Sequence, residues 1–134
     1  MHLDEHKDWK ARMEAAKKRN EELLLRFEKW LKEKSLSKKT IDTHVGNIRF
    51  FSEVYLLHTS EPEIEDGWQD IEGFLGFFIE KATWASKYTL QENIASFQKF
   101  YNFLYEIGEI SASDLQEMQE MIKNRKKLWL NAKR

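Results

Sequence analysis

Apolar residues return every three or four positions along most of this chain, the spacing that lays a stripe down one face of an α-helix. Between residues 3 and 34 the stripe is Trp9, Met13, Ala16, Asn20, Leu23, Phe27 and Trp30, and it predicts helix. Asn20 is its polar member, and leaves open a division into a short first helix and a second one. Ser35-Leu36-Ser37 stops the pattern. Ser37 can cap a helix over residues 38–57, with Ile41, Val45, Ile48, Phe51 and Tyr55 turned inward. Residues 58–66 hold the only proline and four acids, which predicts a loop. Asp66 followed by Gln69 has the form of a capping box for a helix reaching about residue 83. Ser86 caps another helix, ended by Gly108, a residue suited to the left-handed position just past a helix. Ser111 with Asp114 opens the last one, which carries Leu115, Met118, Ile122 and Trp129. An all-α chain of five or six helices is expected, with no strand.

A length of 134 residues fits one domain covering 1–134, and 41% apolar with 13% aromatic residues supplies ample core. The chain has no cysteine, which excludes disulfides, thiolate metal sites and cysteine nucleophiles, and fits a reducing cytoplasm. No apolar run approaches the roughly 20 residues of a membrane helix, and the charged stretch 1–19 does not read as a signal peptide. The expected location is cytoplasmic, without a membrane partner. A net charge of −1 conceals a segregation: residues 59–85 carry seven acids against Lys81, whereas residues 123–134 carry six bases and no acid. Fields of opposite sign on different regions are expected.

An internal repeat is the most informative feature. Ser37-Lys38-Lys39-Thr40-Ile41 and Ser86-Lys87-Tyr88-Thr89-Leu90 are separated by 49 residues. At that separation Val45 matches Ile94, Gly46 matches Ala95, Ile48 matches Phe97, Arg49 matches Gln98 and Phe51 matches Phe100. Each copy follows a helix and a turn, so two stacked helical hairpins are expected, each second helix starting with free amides and a lysine. Small residues at Gly46 and Ala95 would let the paired helices approach closely.

Phe27-Glu28-Lys29-Trp30-Leu31, then Ser37, Thr40 and Ile41, then Ile48, Arg49 and Phe51 resemble the first hairpin of the core-binding (SAM-like) domain of tyrosine recombinases and phage integrases. Ile71, Phe74 and Leu75 occupy the place of that domain's third helix. Ser86, Thr89 and Leu90, the run from Ile94 through Phe97, Phe100, Tyr101 and Phe103 to Leu104, and Gly108 with Ile110 resemble its second hairpin and its end. The resemblance covers about residues 20–110, leaving 1–19 and 111–134 as accessory helices. It implies an orthogonal bundle of two hairpins forming half of a clamp around duplex DNA in a recombination or integration context. The DNA-facing candidates it implies are Ser37, Lys38, Lys39, Thr40, Thr43, His44 and Asn47 in the first copy. In the second they are Ser86, Lys87, Tyr88, Gln91 and Glu92. The chemistry is coherent, because helix starts offer N–H groups and a positive dipole end to phosphate, lysines add attraction, and Asn, Gln and Ser reach base edges. The basic residues Lys123, Arg125, Lys126 and Lys127 are expected to add to this surface.

The family's catalytic constellation includes a histidine followed at the third position by arginine, and a tyrosine nucleophile. None of His2, His6, His44 or His58 has that arginine, and Tyr55, Tyr88, Tyr101 and Tyr105 fall in packing patterns. No enzymatic activity and no cofactor are therefore expected, and the implied partners are duplex DNA and a recombinase catalytic domain. His2 and His6 have the spacing of a helical metal pair but no third ligand, so no metal site is expected. Glu61, Glu63, Glu65 and Asp66 lack EF-hand spacing and read as a solvated loop. Gly73 and Gly76 point to close packing, and Trp68, Phe74, Phe77, Phe78 and Trp84 to core. An alternative is a helical interaction or homo-oligomerisation module, with Asn20 setting a coiled-coil register and Met118, Met121, Ile122, Leu128 and Trp129 docking a partner helix.

Overall fold

Three serines close the first turns of three helices in the computed structural model, which describes residues 2–59 and 61–133. The Ser37, Ser86 and Ser111 hydroxyls accept from the backbone N–H of Thr40, Thr89 and Asp114 at 3.2, 3.1 and 3.0 Å. Each bond satisfies an amide that has no partner inside its own helix. The helices are α1 (His2–Glu33), α2 (Lys38–Phe50), α3 (Ile71–Glu80), α4 (Lys87–Glu106) and α5 (Ala112–Ala132). No strand occurs among the described residues. Gly108 takes φ +82° past α4, with Gly108 N–H donating to Tyr105 O and Glu109 N–H to Leu104 O, the paired bonds of a Schellman end. Ser35, at φ +62°, plays the same part after α1 without being a glycine.

α1 does not divide at Asn20. That side chain is 2% exposed and makes three bonds: its Nδ2 donates to Ser52 Oγ (3.1 Å) and Pro62 O (2.9 Å), and its Oδ1 accepts from Ile64 N–H (2.9 Å). A buried amide needs partners, and here the polar interruption of the stripe finds them in the acidic loop. Asn20 therefore ties that loop to α1 inside one chain instead of setting a register between two.

The helix expected over 38–57 is α-helical to Phe50, then widens into a π-helical turn over Phe51–Tyr55 and tightens over Leu56–His58. The capping box expected at Asp66 is absent. Ile64–Asp70 is a 3-10 segment, Gln69 Nε2 reaches Asp66 O at 3.4 Å, and α3 starts only at Ile71. The reason lies at Gly67, where an added Cβ would come within 2.8 Å of Leu56 Cδ2 and 2.9 Å of the Tyr101 hydroxyl. The segment is pressed onto the core, and Tyr101, fully buried, donates its hydroxyl to Ile64 O at 2.8 Å.

The paired apolar positions of the repeat are all buried: Ile41 with Leu90, Val45 with Ile94, Ile48 with Phe97, and Phe51 with Phe100. Phe51 sits edge-on to Phe74 (5.0 Å) and Phe97 (4.9 Å), and Phe27 edge-on to Phe100 (5.0 Å), the favoured geometry for aromatic rings. α1 and α2 run antiparallel, pairing Glu21 with Arg49 and Asn20 with Ser52. Close approach does not occur at Gly46, which is exposed with nothing near its Cβ position, nor at Gly76; at Gly73 an added Cβ would come within 2.6 Å of the Tyr55 hydroxyl. α5 folds back along α4 and α3, burying Leu115, Met118, Ile122 and Trp129. The apolar set expected to dock a partner is thus largely used within the chain, and only Leu128 (61%) stands well exposed. Trp84, expected in the core, is also 61% exposed, and Tyr88 and Tyr105 reach solvent at 68% and 44%. Among the described residues no helix is long and apolar enough to cross a membrane.

Candidate nucleic-acid interface

The two repeat-helix starts lie apart. Lys38 opens α2, and the Phe50 ring at the other end of that helix packs on Trp84 (6.1 Å), just before α4 begins. Twelve helical steps separate Lys38 from Phe50, about 18 Å along α2, so α4 begins toward the far end of α2 from Lys38. At the α2 start Ser37, Lys38 and Lys39 are exposed, with Lys38 paired to Asp42 at 3.4 Å. Thr40 is bonded to Ser37, and Thr43 Oγ1 donates to Lys39 O.

His44 does not face solvent. It is 7% exposed between α2 and α4, with Nδ1 at 2.7 Å from Ser96 Oγ, and Asn47 Nδ2 donates to the same oxygen at 3.0 Å. Ser96 Oγ in turn reaches Glu92 O. Burial, then the charge of Lys99, pushes the His44 pKa down, while Glu92 opposes the shift. These polar side chains hold two crossing helices together, and His44 leaves the set that could touch DNA.

The α4 start, in contrast, gains partners from α5. Lys87 and Gln91 line a shallow depression of about 410 Å³ with Lys123, Lys126, Lys127, Leu130 and Asn131. Four lysines meet there and no lining residue is acidic. Ser86 and Tyr88 are exposed beside it on the first turn of α4. Helical spacing had the means to find this surface, since Lys123, Lys127 and Asn131 are four apart on one face. What spacing alone could not show is that this face of α5 lies against the start of α4. Arg125 projects from a different face and pairs with Glu72 at 3.4 Å, so it is not part of the depression.

The acids gather near the opposite end of α5. Carboxylate oxygens of Glu61, Glu63 and Asp66 lie within 4.8 Å of one another, and Arg12 bridges Glu63 (2.8 Å) and Glu61 (3.3 Å). The hydrogen bond from Arg12 holds the Glu63 pKa below the usual carboxylate range. Burial pushes Asp66 up, helped by Glu61, Glu63 and Asp114 at the start of α5. Lys127 is about 20 Å farther along that helix. The Glu61, Glu63 and Asp66 cluster thus sits toward the start of α5 and the four lysines toward its end, while Glu72 lies beside Arg125. Arg12 pairs with two of the three, Glu61 and Glu63, and the His2 and His6 side chains lie outside the described residues. Comparison of the chain with protein-family models, curated proteins and solved structures found no match in any of the three.

Proposed function

We propose that this chain is a non-catalytic module that binds duplex DNA in a recombination or integration context, like the SAM-like core-binding domain its residues 20–110 resemble. In that reading α1 and α2 form the first hairpin, whereas α4 packs between α2 and α5, and α3 lies against α5 and not α4. One observation carries the reading: Lys87, Lys123, Lys126 and Lys127 converge on a single depression free of carboxylates, beside the exposed first turn of α4. Phosphates are held by such clusters of lysine and by helix amides, and Gln91 and Asn131 add donors and acceptors for the same backbone or for base edges. The Lys38–Lys39 start, at the end of α2 away from the Phe50–Trp84 contact, forms a second, smaller contact.

Fluorescence-anisotropy titration with labelled duplex at two salt concentrations tests the proposal. Affinity is expected to fall as salt rises. Lys87→Glu combined with Lys126→Glu should weaken binding and flatten the salt slope by about 2, one for each lysine–phosphate pairing removed. Binding that is unaffected by the double substitution rejects this surface. No binding at low salt rejects the DNA reading in favour of the helical interaction module.

A further inference from the structure

Large aromatic side chains that reach solvent are concentrated at one junction of the fold. Phe77, Trp84 and Tyr88 are 39, 61 and 68% exposed and span the turn between α3 and α4. Trp84 is held in place: its ring meets Phe78 at 5.1 Å and Phe50 at 6.1 Å, both edge-to-face, while most of its surface stays open. Lysines flank it, with Glu92 one helical turn beyond Tyr88. Lys81 and Lys87 are exposed on either side of Trp84 in the chain, and Lys133 Nζ donates to Ala82 O at 2.9 Å. The equivalent start of α2 has Leu36, Ser37, Lys38 and Lys39 and no aromatic residue, so the two copies of the repeat differ in this respect.

An anchored indole with an exposed phenol on the first turn of α4, beside lysines, matches a ligand with a flat apolar face on an anionic backbone. Bases inside a duplex are stacked on each other and have no free face, whereas unpaired bases do. We propose that Trp84 and Tyr88 form a stacking platform for unpaired bases adjoining a duplex held by the lysines of α4 and α5. This rests on the DNA-binding reading and narrows it to a form of DNA with a paired and an unpaired part.

The test compares a blunt duplex with the same duplex carrying a single-stranded tail, both fluorescently labelled, at two salt concentrations. Wild-type protein is expected to bind the tailed form on the order of tenfold more tightly, as base–aromatic stacking affords. Trp84→Ala diminishes that preference without changing affinity for the blunt duplex, Tyr88→Ala lowers the ratio of tailed to blunt affinity, and Trp84→Phe keeps most of the preference. Lys87→Glu weakens binding to both forms alike. Tyr88 is exposed enough that its truncation keeps the experiment readable if Trp84→Ala loosens the fold. Equal affinity of the wild type for the two forms, or a preference that survives both alanine substitutions, overturns the platform and leaves duplex binding standing. Absence of binding to either form at low salt overturns both.

Discussion

Replacing Asn20 by leucine separates two roles that the same residue could play. Asparagine within an apolar seam between two chains lowers stability to gain specificity, so Asn20→Leu would then stabilise the protein and disturb its assembly. The observed role predicts the opposite. The substitution removes three hydrogen bonds and leaves Ser52 Oγ, Pro62 O and Ile64 N–H in a buried place without their partner. At about 1 kcal/mol for each bond, and more where a buried group is orphaned, the loss comes to about 3–5 kcal/mol. That is a large fraction of the roughly 5–15 kcal/mol holding a domain of this size. With a urea slope of about 2 kcal/mol/M, the midpoint should fall by about 1.5–2.5 M. Urea titration followed by circular dichroism and by tryptophan fluorescence measures this, with sedimentation reporting the assembly state. A midpoint that is unchanged or raised would refute the assignment of Asn20 to the acidic loop.

Three further perturbations follow from local geometry. Ser35→Gly removes a side chain from a left-handed backbone position (φ +62°) and is expected to stabilise by up to about 1 kcal/mol, seen as a Tm higher by a few degrees. Gly67→Ala forces a methyl against Leu56 and the Tyr101 hydroxyl and should cost about 1–3 kcal/mol in thermal or urea unfolding; a neutral result would mean that the 3-10 segment is not tightly seated. Burial lowers the pKa of His44 below 6.5, so between those two values the unfolded chain takes up a proton that the native protein refuses. Its contribution to stability is complete above pH 6.5 and is lost as pH falls toward the native pKa. In His44→Gln the decline in the urea midpoint over that window should be shallower than in the wild type; equal slopes would rule out this linkage.

The helix starts were legible in the sequence because a cap is a local event. Ser37, Ser86 and Ser111 each reach an amide three residues on, and nothing distant is needed to define the bond. The same holds for the Gly108 ending and for the apolar stripes, whose period is a property of the helix itself. The matched apolar positions of the repeat are likewise all buried. Where the sequence misled, the deciding interaction came from far along the chain. Residues 66–70 look like a helix start until Tyr101 and Leu56 press on Gly67, and Trp84 looks like core until the turn after α3 carries it to the surface.

The candidate site divides along the same line. Residue types alone made Lys87, Gln91, Lys123, Lys126 and Lys127 candidates, because charge and polarity are carried by each side chain wherever it goes. Their meeting in one depression, the removal of His44 to the α2–α4 interface and the diversion of Arg125 to Glu72 depended on how the helices pack. A helix start and its period are set by neighbours within four residues. Which face of one helix meets which face of another is set by burying the whole apolar surface at once.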